Sequence, residues 1–90
     1  MNKLKLYKKA LESWGIESQV FMVMEETGEM LNALAKANRS RSTKEEIITE
    51  LADVSIMMEQ MAYYFGYKEF EEEKKKKLER LERRLNNDKI

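Results

Sequence analysis

A chain of 90 residues and 10.7 kDa has room for one domain, and alone it buries only about two-thirds of the surface its unfolded form exposes. Lys plus Arg and Asp plus Glu each total 17, so the formal net charge is zero and no bulk electrostatic pull draws the chain to nucleic acid or an acidic membrane. The absence of Cys and His excludes disulfides, zinc fingers, thiol nucleophiles, imidazole bases and the Glu-x-x-His sites of di-iron bundles, leaving carboxylates, Lys, Tyr and water for acid–base or metal chemistry.

With no Pro and three Gly, little interrupts helix formation. Breaks near Gly15, Asn38 to Ser42 and Gly66 predict a short helix from about Asn2 to Ser13, then long ones at about Ile16 to Ala37, Thr43 to Phe65 and Lys68 to Leu85. In the second helix Val20, Met24, Thr27, Leu31 and Leu34 step by four and three, as do Ile47, Leu51, Val54, Met58, Met61 and Phe65 in the third. Both stripes are expected to face the core. Ser42 and Thr43 each stand three residues before a Glu, at Glu45 and Glu46, the capping-box spacing. The loop before them is short enough to make the second and third helices an antiparallel hairpin. Leu78, Leu81 and Leu85 share one side of the last helix, continuing back toward Phe70. The expected fold is therefore all-α: an antiparallel helical bundle spanning residues 1–90 as one domain and assembling as a homo-oligomer. The longest stretch free of charge, Gln60 to Tyr67, falls far short of the roughly 18 apolar residues of a transmembrane helix. No signal-peptide pattern opens the chain, which gives the cytoplasm as the expected location.

The zero net charge hides a segregation. Residues 1–13 hold four Lys and one Glu, residues 14–67 four basic and nine acidic side chains, and residues 68–90 nine basic and seven acidic. Between Lys9 and Lys36 there is no basic residue, yet Glu12, Glu17, Glu25, Glu26 and Glu29 all fall there. The same holds between Lys44 and Lys68, around Glu45, Glu46, Glu50, Asp53 and Glu59. A solvated helix face normally places Lys or Arg three or four residues from Glu. Glu26 and Glu29, beside Gln19, Met22, Met30 and Ala33, instead sit within a largely apolar side, and Glu50 and Asp53 border Met57, Met61 and Tyr64. Each pair is spaced i, i+3, so packing the two faces together would make four carboxylates converge. Such a cluster needs a cation to offset repulsion and desolvation, and ligation by oxygen alone suits Mg²⁺ or Mn²⁺. The competing account is a solvated or protein-interaction face.

Glu25-Glu26-Thr27-Gly28-Glu29, followed twenty residues later by Glu50-Leu51-Ala52-Asp53, resembles the EExxE…ExxD signature of the MazG-like nucleotide pyrophosphohydrolases, in the all-α NTP pyrophosphatase superfamily. The resemblance extends through Gly15-Ile16-Glu17-Ser18-Gln19 and Lys77-Leu78-Glu79-Arg80-Leu81, covers most of the chain, and is closest in size to the small single-domain phage and bacterial members. It implies a helical bundle working as a homodimer or tetramer, and Mg²⁺-dependent cleavage of a nucleoside triphosphate to the monophosphate and pyrophosphate. Glu26, Glu29, Glu50 and Asp53 are the implied Mg²⁺ ligands, and Glu25 corresponds to the glutamate proposed to activate water in some members. The acidic signature is shared with phosphoribosyl-ATP and dimeric dUTP hydrolases and does not choose among substrates.

Lys77, Arg80 and Arg84 form a basic stripe at i, i+3, i+7. Lys77 and Arg80 are candidate phosphate contacts, because triphosphate oxygens need cations that the acidic site lacks. The alternative is a helix stabilised by the i, i+4 pairs Glu71–Lys75, Glu72–Lys76, Glu73–Lys77 and Glu79–Arg83. Gln19, two turns before Glu26 on the same side, is a candidate for a nucleobase edge, with a cap or surface role as the other option. Trp14, Tyr63 and Tyr64 fit core or interface packing better than base stacking, and the seven Met fit irregular packing. A rival to the enzyme reading is a non-catalytic helical oligomerisation module, in which acidic faces pair with the basic ends of neighbouring subunits.

Overall fold

A computed structural model describes residues 2–87. Four helices follow one another: α1 (Lys3–Trp14), α2 (Ile16–Ala37), α3 (Lys44–Phe65) and α4 (Tyr67–Asn87), with no strand among the described residues. None is long and apolar enough to cross a membrane.

Local chemistry sets the boundaries. Asn2 is the cap of α1 rather than its first residue, its side-chain oxygen accepting from the Leu4 and Lys5 N–H groups at 3.0 and 3.2 Å. Thr43 likewise caps α3 from outside: the Glu46 N–H donates to Thr43 Oγ1 at 3.1 Å and the Thr43 N–H to Glu46 Oε2 at 3.4 Å. Of the two candidate capping boxes, this one forms. Ser42 is used differently, donating from its hydroxyl to the Ala33 carbonyl at 2.8 Å and tying the loop to the end of α2. Single glycines make the other two connections. Gly15, at φ 80°, and Gly66, at φ 146°, hold backbone conformations that a side chain disfavours, which lets one helix end and the next begin with no loop between them.

The α2–α3 contacts run in opposite order along the two helices, from Ala33 with Ser42, through Glu29 with Glu50, to Gln19 with Gln60. α1 lies against α2 and α3, and α4 against α3 alone. The buried apolar set is small: Tyr7, Val54 and Ala62, with no large side chain fully enclosed. Here the expected core stripes need correction. Val20, Met24, Leu31 and Leu34 are exposed, Leu31 by 59 %, and so are Leu51, Met58 and Phe65 of the α3 stripe, while Thr27, Ile47 and Met61 are half-buried and Val54 is buried as expected. What α2 turns toward α3 is the neighbouring arc of Gln19, Val23, Glu26, Met30 and Ala33. The apolar arc of each helix is wider than one partner can cover, and the short turn decides which part meets the partner. The area of 7392 Å² exceeds the about 5,500 Å² of a compact chain of this mass, and the radius of gyration, 16.2 Å, exceeds about 12 Å.

One polar network fastens α1 to α3. The Tyr7 hydroxyl donates to Glu59 Oε1 at 2.7 Å, and Lys3 Nζ lies 3.1 Å from the same carboxylate. The Tyr7 hydroxyl and Lys3 together hold the Glu59 carboxyl below its ordinary range, while burial, reinforced by Glu59, pushes the Tyr7 phenol up to about 12. A lowered carboxyl adds stability that is present above its unfolded value near 4.3 and lost as pH falls through the folded one. A raised phenol adds stability that is present below about 10 and lost as pH rises toward 12. We predict that Tyr7→Phe lowers stability by roughly 1–3 kcal/mol at pH 7 and removes the decline between pH 10 and 12. Urea melts across pH would show this, and a Tyr7→Phe midpoint equal to wild type would refute the staple.

Candidate metal centre

Glu26 and Glu29 stand one turn apart on α2, and Glu50 faces them from the second turn of α3. One carboxylate oxygen from each lies within 4.8 Å of the others. Glu26 and Glu50 are half-buried and Glu29 is exposed. Oε2 of Glu26 and Oε2 of Glu50 are shielded from solvent with no hydrogen-bond donor, and no ion pair among the described residues involves any of the three. Desolvation pushes both carboxyls up, and like charges add to it: Glu29, Asp53, Glu50 and Glu25 act on Glu26, and Glu29 and Asp53 on Glu50. Three converging carboxylates, an oxygen-only donor set, fit a hard divalent cation such as Mg²⁺ or Mn²⁺.

The remaining candidate residues are distributed around this triplet. Asp53 is exposed one turn beyond Glu50, outside the converging group but near enough for its charge to act on both buried carboxyls. Glu25 is exposed, about 40° from Glu29 around α2. Gln19 is only 3 % exposed, and its side-chain oxygen accepts from the Gln60 amide, itself 5 % exposed. Its amide is thus engaged inside the helix pair. Lys77 and Arg80 are exposed on α4, which does not touch α2. The α4 ion pairs that form are i, i+3, Glu71–Lys74 at 3.3 Å and Glu73–Lys76 at 3.5 Å, rather than the i, i+4 set expected from the sequence. Trp14 is 65 % exposed, and Tyr64 packs edge-on against Phe65 at 4.9 Å.

Three further residues border the acidic cluster that sequence reasoning passed over. Asn32, Lys36 and Ser42 line a cleft of about 230 Å³ together with Glu29, Glu46 and Glu50. The signal for Lys36 was present: it is the first basic residue after the acidic run and stands two turns beyond Glu29.

The raised Glu26 and Glu50 carboxyls contribute stability that is present below their unfolded value and lost as pH rises through the carboxylate range, opposite in sign to the contribution of Glu59. We predict that Mg²⁺ at a hundred times its Kd adds about 2.7 kcal/mol and raises Tm by roughly 10 °C or more at pH 7. Glu50→Gln should melt no lower than wild type without metal, because one repelling charge is gone, and should lose most of the Mg²⁺ response. A wild-type melting curve unmoved by millimolar Mg²⁺ would remove the site. Comparison with protein-family models, with curated proteins and with solved structures found no match to this chain.

Proposed function

We propose that this protein is a MazG-like nucleoside triphosphate pyrophosphohydrolase, an antiparallel helical bundle acting as a homo-oligomer. In this reading Mg²⁺, or Mn²⁺, held by Glu26, Glu29, Glu50 and Asp53, supports hydrolysis of an NTP or dNTP to the monophosphate and pyrophosphate. The observation that carries it is the convergence of Glu26, Glu29 and Glu50 within 4.8 Å, two of them with buried oxygens that no donor satisfies. A residue set that keeps such repulsion in its fold suits a cationic ligand better than a purely structural face.

A divalent cation held by Glu26, Glu29, Glu50 and Asp53 would supply neutralisation of triphosphate charge and a lowered pKa for the attacking water. Glu25, exposed beside the cluster, accepts the proton of the attacking water at its carboxylate. The water oxygen bonds to the α-phosphorus as the bond from that phosphorus to the bridging oxygen breaks, and pyrophosphate leaves in line. Lys77 and Arg80 serve the phosphates of a neighbouring subunit's cleft in this reading, since α4 does not contact α2 of its own chain.

The oligomer is supported by the uncovered apolar surface. The total area exceeds that of a compact monomer of this mass by roughly 1,900 Å², and Val20, Met24, Leu31, Leu34 and Leu51 are among the apolar side chains left exposed. That same surface favours, as a second reading, a non-catalytic helical oligomerisation module, which turnover distinguishes.

Three outcomes test the proposal. In labelled water the isotope should enter the monophosphate; label in pyrophosphate would reverse the direction of attack. Glu25→Gln should keep Mg²⁺ and nucleotide affinity while kcat falls about 100-fold or more, whereas Glu26→Gln should also lose metal affinity. Near-normal turnover in Glu25→Gln would end its assignment as base. In light scattering on a sizing column the protein should elute as a multiple of 10.7 kDa, and Leu31→Glu should weaken that assembly; a monodisperse single-chain mass at micromolar concentration would contradict it.

A further inference from the structure

The cleft beside the carboxylates carries both signs of charge, three glutamates and one lysine. Glu29, Asn32 and Lys36 line one wall on successive turns of α2, and Lys36 is the sole basic residue among those lining it. It makes no ion pair among the described residues, although Glu29, Glu46 and Glu50 share the same cleft. Its backbone is pinned, the Lys36 carbonyl accepting from the N–H groups of Arg39 at 3.0 Å and Arg41 at 2.8 Å. The last turn of α2 therefore fixes the point from which the exposed lysine side chain extends. Glu29 and Lys36 are seven residues apart, about 10 Å along the helix axis, a separation that the flexible four-carbon stem partly closes.

A ligand that fits such a cleft must offer hard oxygens to a cation at one end and negative charge to an ammonium at the other. A linear polyphosphate does both: its oxygens chelate the metal, and the charge that the surrounding carboxylates would repel is met by Lys36. Asn32, between the two, adds an amide donor along the same wall. We propose that Lys36 is the anion contact of this cleft and that the ligand lies with its terminal phosphate toward the α2–α3 turn. This inference rests on the metal-site reading above and adds to it the direction in which the phosphate chain runs. The nucleoside end then points away from the turn, toward the part of the hairpin where Gln19 meets Gln60.

The competing role for Lys36 is structural, a cation placed favourably at a helix C-terminus; that role moves melting temperature and leaves ligand affinity alone. Calorimetric titration of the full chain, first with Mg²⁺ and then with inorganic pyrophosphate at saturating Mg²⁺, separates the two. Lys36→Ala should bind Mg²⁺ within twofold of wild type and bind pyrophosphate at least tenfold more weakly. Lys36→Arg should recover most of the loss, and Lys44→Ala, whose side chain lies outside the lining, should match wild type. If Lys36→Ala binds pyrophosphate within twofold of wild type, or Lys44→Ala loses as much, the anion contact is overturned and the metal reading stands. Wild type that binds Mg²⁺ but no pyrophosphate likewise overturns the anion contact while leaving the metal site in place. Wild type that binds neither overturns both.

Discussion

Two half-buried carboxylates on the line where α2 meets α3, Glu26 and Glu50, set the terms for the rest of this protein. A comparison within α3 shows how much depends on the partner. Glu59 is half-buried like Glu50, yet Lys3 and Tyr7 hold it below the usual carboxylate range, while desolvation and like charge push Glu50 above it. One end of α3 thus gains from its buried charge and the other end loses. The triplet sits on the α2–α3 contact line, so a cation bound there would act on the packing of both helices.

Much of the architecture was legible because it is encoded locally. Gly15, Gly66 and the Thr43–Glu46 box mark helix ends through backbone preferences that need no knowledge of distant residues, and the helices end within two residues of where these signals put them. The side of each helix that becomes buried was not legible in the same way. Val20, Met24, Leu31 and Leu34 make the more apolar stripe, but burial also depends on what the turn brings opposite, and the arc containing Gln19 and Glu26 is the one that meets α3. Periodicity reports that a helix has a face; it does not rank adjoining faces when both are rich in Met and Leu. The triplet of Glu26, Glu29 and Glu50 could be foreseen from i, i+3 spacing on paired helices, whereas Lys36 joins the cleft through the geometry of the turn, which spacing alone does not contain.

The uncovered apolar surface and the acidic cleft occupy different flanks of the hairpin. At about 100° per residue, Glu25 and Glu29 fall to one side of the α2 contact line and Val20, Met24 and Leu31 to the other; on α3, Asp53 and Glu46 are separated in the same manner from Leu51 and Met58. Association through the apolar flank therefore leaves the cleft open to a diffusing ligand.

The buried amide pair of Gln19 and Gln60 has a bearing on why this packing wins over others. Rotating α2 to press its Val20 stripe against α3, or sliding it by one turn, would part the two amides. An amide that stays between the helices without its partner costs about 1–3 kcal/mol. The pair thus works as a register key: a polar contact that contributes little net affinity in the correct arrangement and penalises the incorrect ones, as a single buried asparagine does in a coiled coil. The pair lies on the same α2–α3 contact line as Glu26 and Glu50, toward the end far from the turn.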